Sequence, residues 1–171
     1  KDVIQNIGIS YYNDAVIGVQ VKGEIDIAIK SFNYYMSTIQ MAYPDYDFKA
    51  KMTQFYSAIG NFYLDQYSLA SNANDVNWDL AKIAFEKVLK LDSNNFNGNY
   101  NIGTLYYNKA VNIVNFEGYD ITLARLSDIQ DTSIILFRKA LPYMKTSLNV
   151  QPEHEHLLQG LAGIYFALNE P

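Results

Sequence analysis

The stretches "NIGISYYNDA" (Asn6 to Ala15) and "NIGTLYYNKA" (Asn101 to Ala110) agree at seven of ten positions, although they begin ninety-five residues apart. Two weaker copies lie between and after them. "IQNIGISYY" (Ile4 to Tyr12), "YSAIGNFYL" (Tyr56 to Leu64), "NYNIGTLYY" (Asn99 to Tyr107) and "LQGLAGIYF" (Leu158 to Phe166) align without gaps. A chain that repeats one short pattern at long intervals is built from one supersecondary unit used several times.

The shared positions are a large aliphatic residue, then a small one, then Tyr three residues on: Ile7, Gly8, Tyr11; Ile59, Gly60, Tyr63; Ile102, Gly103, Tyr106; Leu161, Ala162, Tyr165. On a helix, residues three and four apart share a face, so the aliphatic residue and the Tyr stand one above the other beside the small residue. Glycine inside a helix costs about 0.5–1 kcal/mol relative to alanine. Three glycines in one register, with Ala in the fourth, imply that a second helix passes too close there for a larger side chain.

Each copy is followed by a second amphipathic segment. Ile25, Ala28, Ile29, Phe32, Met36 and Ile39 form one stripe, Ala81, Phe85, Val88 and Leu89 a second, and Phe137, Ala140, Leu141, Met144 and Leu148 a third. The unit is therefore a helix pair. Helices are expected at about 2–18, 22–42, 47–70, 77–91, 95–116, 121–149 and 153–168, with Pro142 kinking the sixth.

These residues carry a resemblance. Aliphatic-Gly-x2-Tyr followed by Ala-x3-Phe resembles the tetratricopeptide repeat, whose signature also has a Trp before the aliphatic residue and a Pro at the end. In the second unit Tyr56 stands at the Trp position, Ile59, Gly60, Tyr63, Ala81 and Phe85 fit, and Ser93 replaces the Pro. The family spacing would put the Ala about nine residues after the Tyr, whereas Ala81 follows Tyr63 by eighteen and Ala140 follows Tyr106 by thirty-four. "ASNAND" (Ala70 to Asp75) reads as a loop insertion, and "VNFEGYDITLARLSDIQD" as an extension of both helices of the third unit. That third unit is similar to the extended repeat of Bacteroidetes-type bacterial tetratricopeptide proteins.

The expected fold class is all-α: an α-α superhelix, a tetratricopeptide-like solenoid of about three helix pairs plus a C-terminal helix. One domain over 1–171 is expected, with units at about 1–46, 47–94 and 95–152 and a last helix over 153–171. The opening "KDVIQNIG" lacks an initiator Met and a signal segment, so the chain reads as a fragment of a longer one. The last helix is expected to leave Leu157, Leu161 and Tyr165 partly covered, a surface for self-association.

Composition narrows the chemistry. Hydrophobic residues at 49% and charged residues at 18% describe a globular chain, and no apolar run reaches the roughly 20 residues of a membrane span. A formal charge of −5, with Arg125 and Arg138 the only arginines, speaks against nucleic acid as a partner. No cysteine is present, which removes disulfides, Cys-ligated zinc and thiol catalysis. The compartment stays open, with the cell envelope or periplasm leaned towards over the cytoplasm.

No nucleophile elbow, P-loop or H-E-x-x-H motif occurs. His154 and His156 are spaced i, i+2, which points two imidazoles apart on a helix, and the segment around Pro152 reads as a helix start instead. A non-enzymatic chain with no cofactor and no metal is expected.

The resemblance implies a concave groove lined by the first helix of each pair, holding a peptide or protein partner. Carrying over that register gives Gln5, Ile9, Tyr12 and Asn13 in the first unit, after Asp2. It gives Ser57, Asn61, Leu64 and Asp65 in the second, after Gln54, and Tyr100, Thr104, Tyr107 and Asn108 in the third, after Asn97. On the last helix it falls on His156, Gln159, Gly163, Phe166 and Ala167. The set contains no Lys and no Arg, unlike grooves that clamp acidic tails. Tyr with neutral amides suits protein interfaces, and also a small-ligand or glycan-binding envelope component. Tyr11 and Tyr106 are needed for packing in this scheme, whereas Tyr12, Asn13, Tyr107 and Asn108 are not.

Overall fold

The computed structural model describes residues 2–69, 75–115 and 122–169. The described elements are all helical: α1 (Asp2–Ile17), which runs into a π-helical turn (Gly18–Lys22), then α2 (Ile25–Ala42), α3 (Lys49–Leu69), α4 (Asp75–Leu91), α5 (Phe96–Asn115), α6 (Leu123–Val150) and α7 (Glu155–Leu168). The loop read at 70–74, and residues 116–121 of the long insertion, lie outside the described residues. α6 is a single helix that carries Pro142 on its exposed side.

The ends follow from local chemistry. Gly23 terminates the π turn at φ +66°, and both its N–H and that of Glu24 reach the Gly18 carbonyl. That backbone favours glycine, and a methyl at Gly23 would also lie 3.0 Å from the Phe62 ring of α3. Thr122 caps α6 by accepting from the Arg125 N–H. Between α4 and α5, buried Asn99 donates to the Ser93 and Asn95 carbonyls and so fixes the "SNN" turn.

Packing is densest within α1–α2, α3–α4 and α5–α6, with α4–α5 and α6–α7 joining one pair to the next. The buried core falls into three clusters in chain order. Phe32, Tyr35, Phe55 and Ile59 lead the first, across α1, α2 and α3; Trp78, Phe85, Ile102 and Leu105 lead the second, across α3, α4 and α5; Phe137, Met144, Leu157 and Ile164 lead the third, across α5, α6 and α7. Each pair is thus closed by the first helix of the next. Rings make the joins: Phe32 stacks on Phe55 at 4.1 Å, and the Trp78 indole N–H donates to the Leu105 carbonyl at 3.0 Å. The buried hydroxyls of Ser133 and Ser147 donate to the Ala110 and Phe96 carbonyls of α5, so neither is left without a partner inside the α5–α6 seam.

The three signature glycines lie where two helices press together. A methyl on Gly8 would come within 2.6 Å of Ile39, on Gly60 within 2.5 Å of Phe85, and on Gly103 within 2.9 Å of Met144. The fourth small residue departs from this: Ala162 is exposed, because no second helix follows α7 among the described residues. A matching departure occurs at the other end. Ile59, Ile102 and Leu161 are buried against the preceding pair, but Ile7 is 46% exposed because no described helix precedes α1.

The expected partial exposure of Leu157 and Leu161 is also corrected. Both are buried, since α7 turns them onto α5 and α6, while Tyr165 is half-buried. The apolar groups left in solvent on α7 are Leu158 and, above all, Phe166, which is 89% exposed.

Candidate functional site

The first helices of successive pairs adjoin one another. Tyr12 of α1 donates its O–H to Gln54 Oε1 of α3 at 3.1 Å, Asn101 of α5 donates to Asn61 Oδ1 of α3 at 3.2 Å, and a methyl on Gly163 of α7 would meet the Tyr107 hydroxyl of α5 at 2.8 Å. Polar side chains carry the first two joins and a close approach the third. None of the twelve groove candidates is buried.

A cup of about 570 Å³ lies where α1, α2 and the start of α3 meet. Gln5, Ile9, Tyr12 and Asn13 line it from α1, Tyr35 and Ile39 from α2, Tyr43 and Tyr46 from the connection, and Lys51 from α3. The cup forms where the connection after α2 carries the chain past the first turns of α1 to the start of α3: Ile39 lies against Gly8, and Tyr43 reaches Gln5. Two smaller cavities, of about 290 and 220 Å³, continue along the α1–α3 seam. Asn61 and Asp65 line the smaller of the two, beside Val19, Gln20 and Phe62.

The cup is aromatic and internally bonded. The Tyr12 and Tyr35 rings are 5.2 Å apart, the Lys51 ammonium sits 4.2 Å over the Tyr12 ring, and the Tyr43 O–H donates to Gln5 Oε1 at 3.4 Å. Burial, helped by a hydrogen bond to Tyr46, pushes the Tyr35 phenol far above its ordinary pKa, so it is a neutral hydroxyl at any physiological pH. Among the described residues the lining contains one cation, Lys51, and no carboxylate.

Four of the twelve groove candidates therefore meet in the cup and two more in the third cavity. Ser57, Leu64, Tyr100, Thr104, Tyr107 and Asn108 line none of the three cavities. Tyr107, which the repeat scheme does not need for packing, sets its ring edge-on against Phe137 of α6 at 5.5 Å, and Tyr12 likewise packs on Tyr35 and Phe32. Thr104 turns its hydroxyl back to the Tyr100 carbonyl, and Tyr100 stacks on Phe96. On α7, His156, Gln159 and Phe166 are exposed and Gly163 and Ala167 half-buried.

Tyr35, Tyr43 and Tyr46 escape a reading that follows only the first helix of each pair, because they come from its partner helix and the connection; Lys51 escapes it because it precedes Gln54, where the groove register of the second unit begins. The tyrosine-rich run "YPDY" (Tyr43 to Tyr46) is the signal that marks this edge. His154 proves to be a cap: its ring nitrogen accepts from the Leu157 N–H at 3.2 Å, and its ring lies 5.1 Å from both Phe96 and Tyr100. Among the described residues no cluster of three metal-ligating side chains occurs, and no helix is long and apolar enough to cross a membrane.

Comparison of the chain with protein-family models, with curated proteins and with solved structures finds no match.

Proposed function

We propose that the chain is a tetratricopeptide-like superhelical stack and acts as a non-enzymatic scaffold, holding a segment of a partner protein against the face made by α1, α3, α5 and α7. The architecture is supported by the three glycines that meet their following helices in one register, and by a core that passes from pair to pair. The functional reading is carried by one observation. The open cup is lined by tyrosines and neutral amides and continues into two further cavities along α3, a shape and chemistry suited to a side chain and the backbone attached to it.

The test is to pan the chain against displayed random peptides and to map the recovered peptides by amide shifts. Ile9→Lys and Asn61→Arg, both at exposed positions, are expected to weaken binding about tenfold or more while leaving the thermal midpoint within a degree or two. Peptides that bind both variants as well as the parent would place the contact elsewhere and end this reading. A second reading, a small-ligand or glycan-binding component, is favoured by the size of the cup, which falls within the range of roughly 300–1,000 Å³ usual for such sites. It predicts a melting shift with oligosaccharides and none with recovered peptides.

A further inference from the structure

Lys51 combines partial burial with the lack of an ion-pair partner; Lys87, Lys139 and Lys145 also lie over tyrosine rings but are exposed. Lys82 pairs with Glu86 at 2.6 Å and Lys109 with Asp75 at 2.7 Å. Lys51 is half-buried at the cup wall, its ammonium held over the Tyr12 ring, with no carboxylate in ion-pair reach among the described residues. The nearby Asp47 carboxylate accepts from the Lys49 N–H instead. An ammonium over a ring face is attracted by the ring quadrupole, but that contact uses one side of the group and leaves its other donors for an acceptor. In a chain of net charge −5, a cation beside a mainly apolar cavity whose described lining holds no carboxylate selects for negative charge.

The neighbouring groups define the rest of the ligand. Ile9, Ile39 and the tyrosine rings offer apolar surface, and Gln5 and Asn13 bring amide N–H donors that no described group takes up. We propose that the cup is an anchor pocket for an apolar side chain of a bound segment, seated against Ile39 and the tyrosines, with an adjacent acidic residue paired to Lys51. This rests on the reading of the face as a peptide site and adds its chemistry: an apolar–acidic pair at the α1–α2 end, which fixes the register of everything that follows along α3.

The experiment uses the whole chain and four small probes, followed through the ring signals of Tyr35 and Tyr43 and the Lys51 side chain. Acetyl-Phe-Glu-amide is expected to shift these signals with an affinity about threefold to fivefold above acetyl-Phe-Gln-amide, the margin of a partly exposed ion pair. Acetyl-Ala-Glu-amide should leave the rings unmoved. Lys51→Met, which keeps the apolar stem over Tyr12, should erase the Glu preference without changing the thermal midpoint. Equal binding of the Glu and Gln probes to the parent chain, or no ring shift with either at millimolar concentration, overturns the proposal. So does a cup that answers to 3-phenylpropionate and to neither Phe dipeptide, which would assign it to a free small acid. Failure of the wider reading looks different: the dipeptides would still seat in the cup, but no longer peptide would shift Asn61, Asp65 or Tyr100.

Discussion

Asn6 to Ala15 and Asn101 to Ala110 are nearly the same sentence, yet they sit in different surroundings. Ile7 is 46% exposed and Ile102 fully buried. Tyr12 borders an open cup, whereas Tyr107 is wedged between Phe137 and Gly163. Gly8 faces the Cγ1–Cδ1 end of buried Ile39, and Gly103 faces the stem and sulfur of buried Met144. The difference teaches that the motif specifies a helix and its close approach to a partner, while the neighbours on either side decide what each side chain does. Among the described residues no helix lies before the first copy, so Ile7 and one side of Tyr12 stay open although Tyr12 packs on Phe32 and Tyr35; the later copy has described helices on both sides.

The largest expected effect contrasts the two isoleucines. Ile102→Ala removes a fully buried side chain from the cluster of Phe85 and Leu105 and should lower unfolding stability by about 2–5 kcal/mol. Ile7→Ala changes an exposed position and should stay within about 0.5 kcal/mol. Urea unfolding of the two variants decides the matter, and similar losses would show that Ile7 packs on something in solution.

Next come the glycines. Gly60→Ala drives a methyl into the ring of Phe85, which is fully buried, and should cost about 1–2 kcal/mol after the gain in helix propensity. Gly103→Ala meets the more pliable Met144 and should lose about 1 kcal/mol. Gly8→Ala meets only the end of Ile39 and should be neutral or slightly stabilising, as helix propensity favours Ala by roughly 1 kcal/mol. The same order in thermal midpoints is expected. A loss at Gly8 equal to that at Gly60 would mean that the first pair is as tightly packed as the second.

The helices were legible because their signals are local: the stripe of Ala81, Phe85 and Val88 and the glycine register need only residues three and four apart. Half of the cup was legible for the same reason, since Gln5, Ile9, Tyr12 and Asn13 follow one helix face. The other half was not. Tyr43, Tyr46 and Lys51 enter because the connection after α2 and the first turn of α3 fold back beside the start of α1, a matter of loop path that periodicity does not encode. Ala162 and Tyr107 were misread because identical residues were assigned identical surroundings. A repeat pattern carries no mark of which copies have a neighbouring helix on only one side among the described residues.

The smallest effect appears only in alkali, and it compares a phenol of each region. Burial raises the pKa of Tyr35 in the first pair, with Tyr46 and Tyr12 adding to the rise; burial also raises that of Tyr106 in the later copy, where Lys82 and Lys109 oppose the rise and Tyr143 and Glu86 add to it. A phenol with a raised folded pKa keeps its proton when the unfolded chain has released it. The unfolded state then binds fewer protons, so stability is intact below the ordinary Tyr pKa near ~10 and falls as pH climbs above it. The fall for one group cannot exceed about 1.4 kcal/mol per pH unit. Tyr35→Phe, compared between pH 9 and 11, should flatten the alkaline decline more than Tyr106→Phe does. If the Tyr106 variant flattened it more, the lysines around the later copy would be too far from the ring in solution to offset its burial, and the contrast in electrostatics between the two copies would fall.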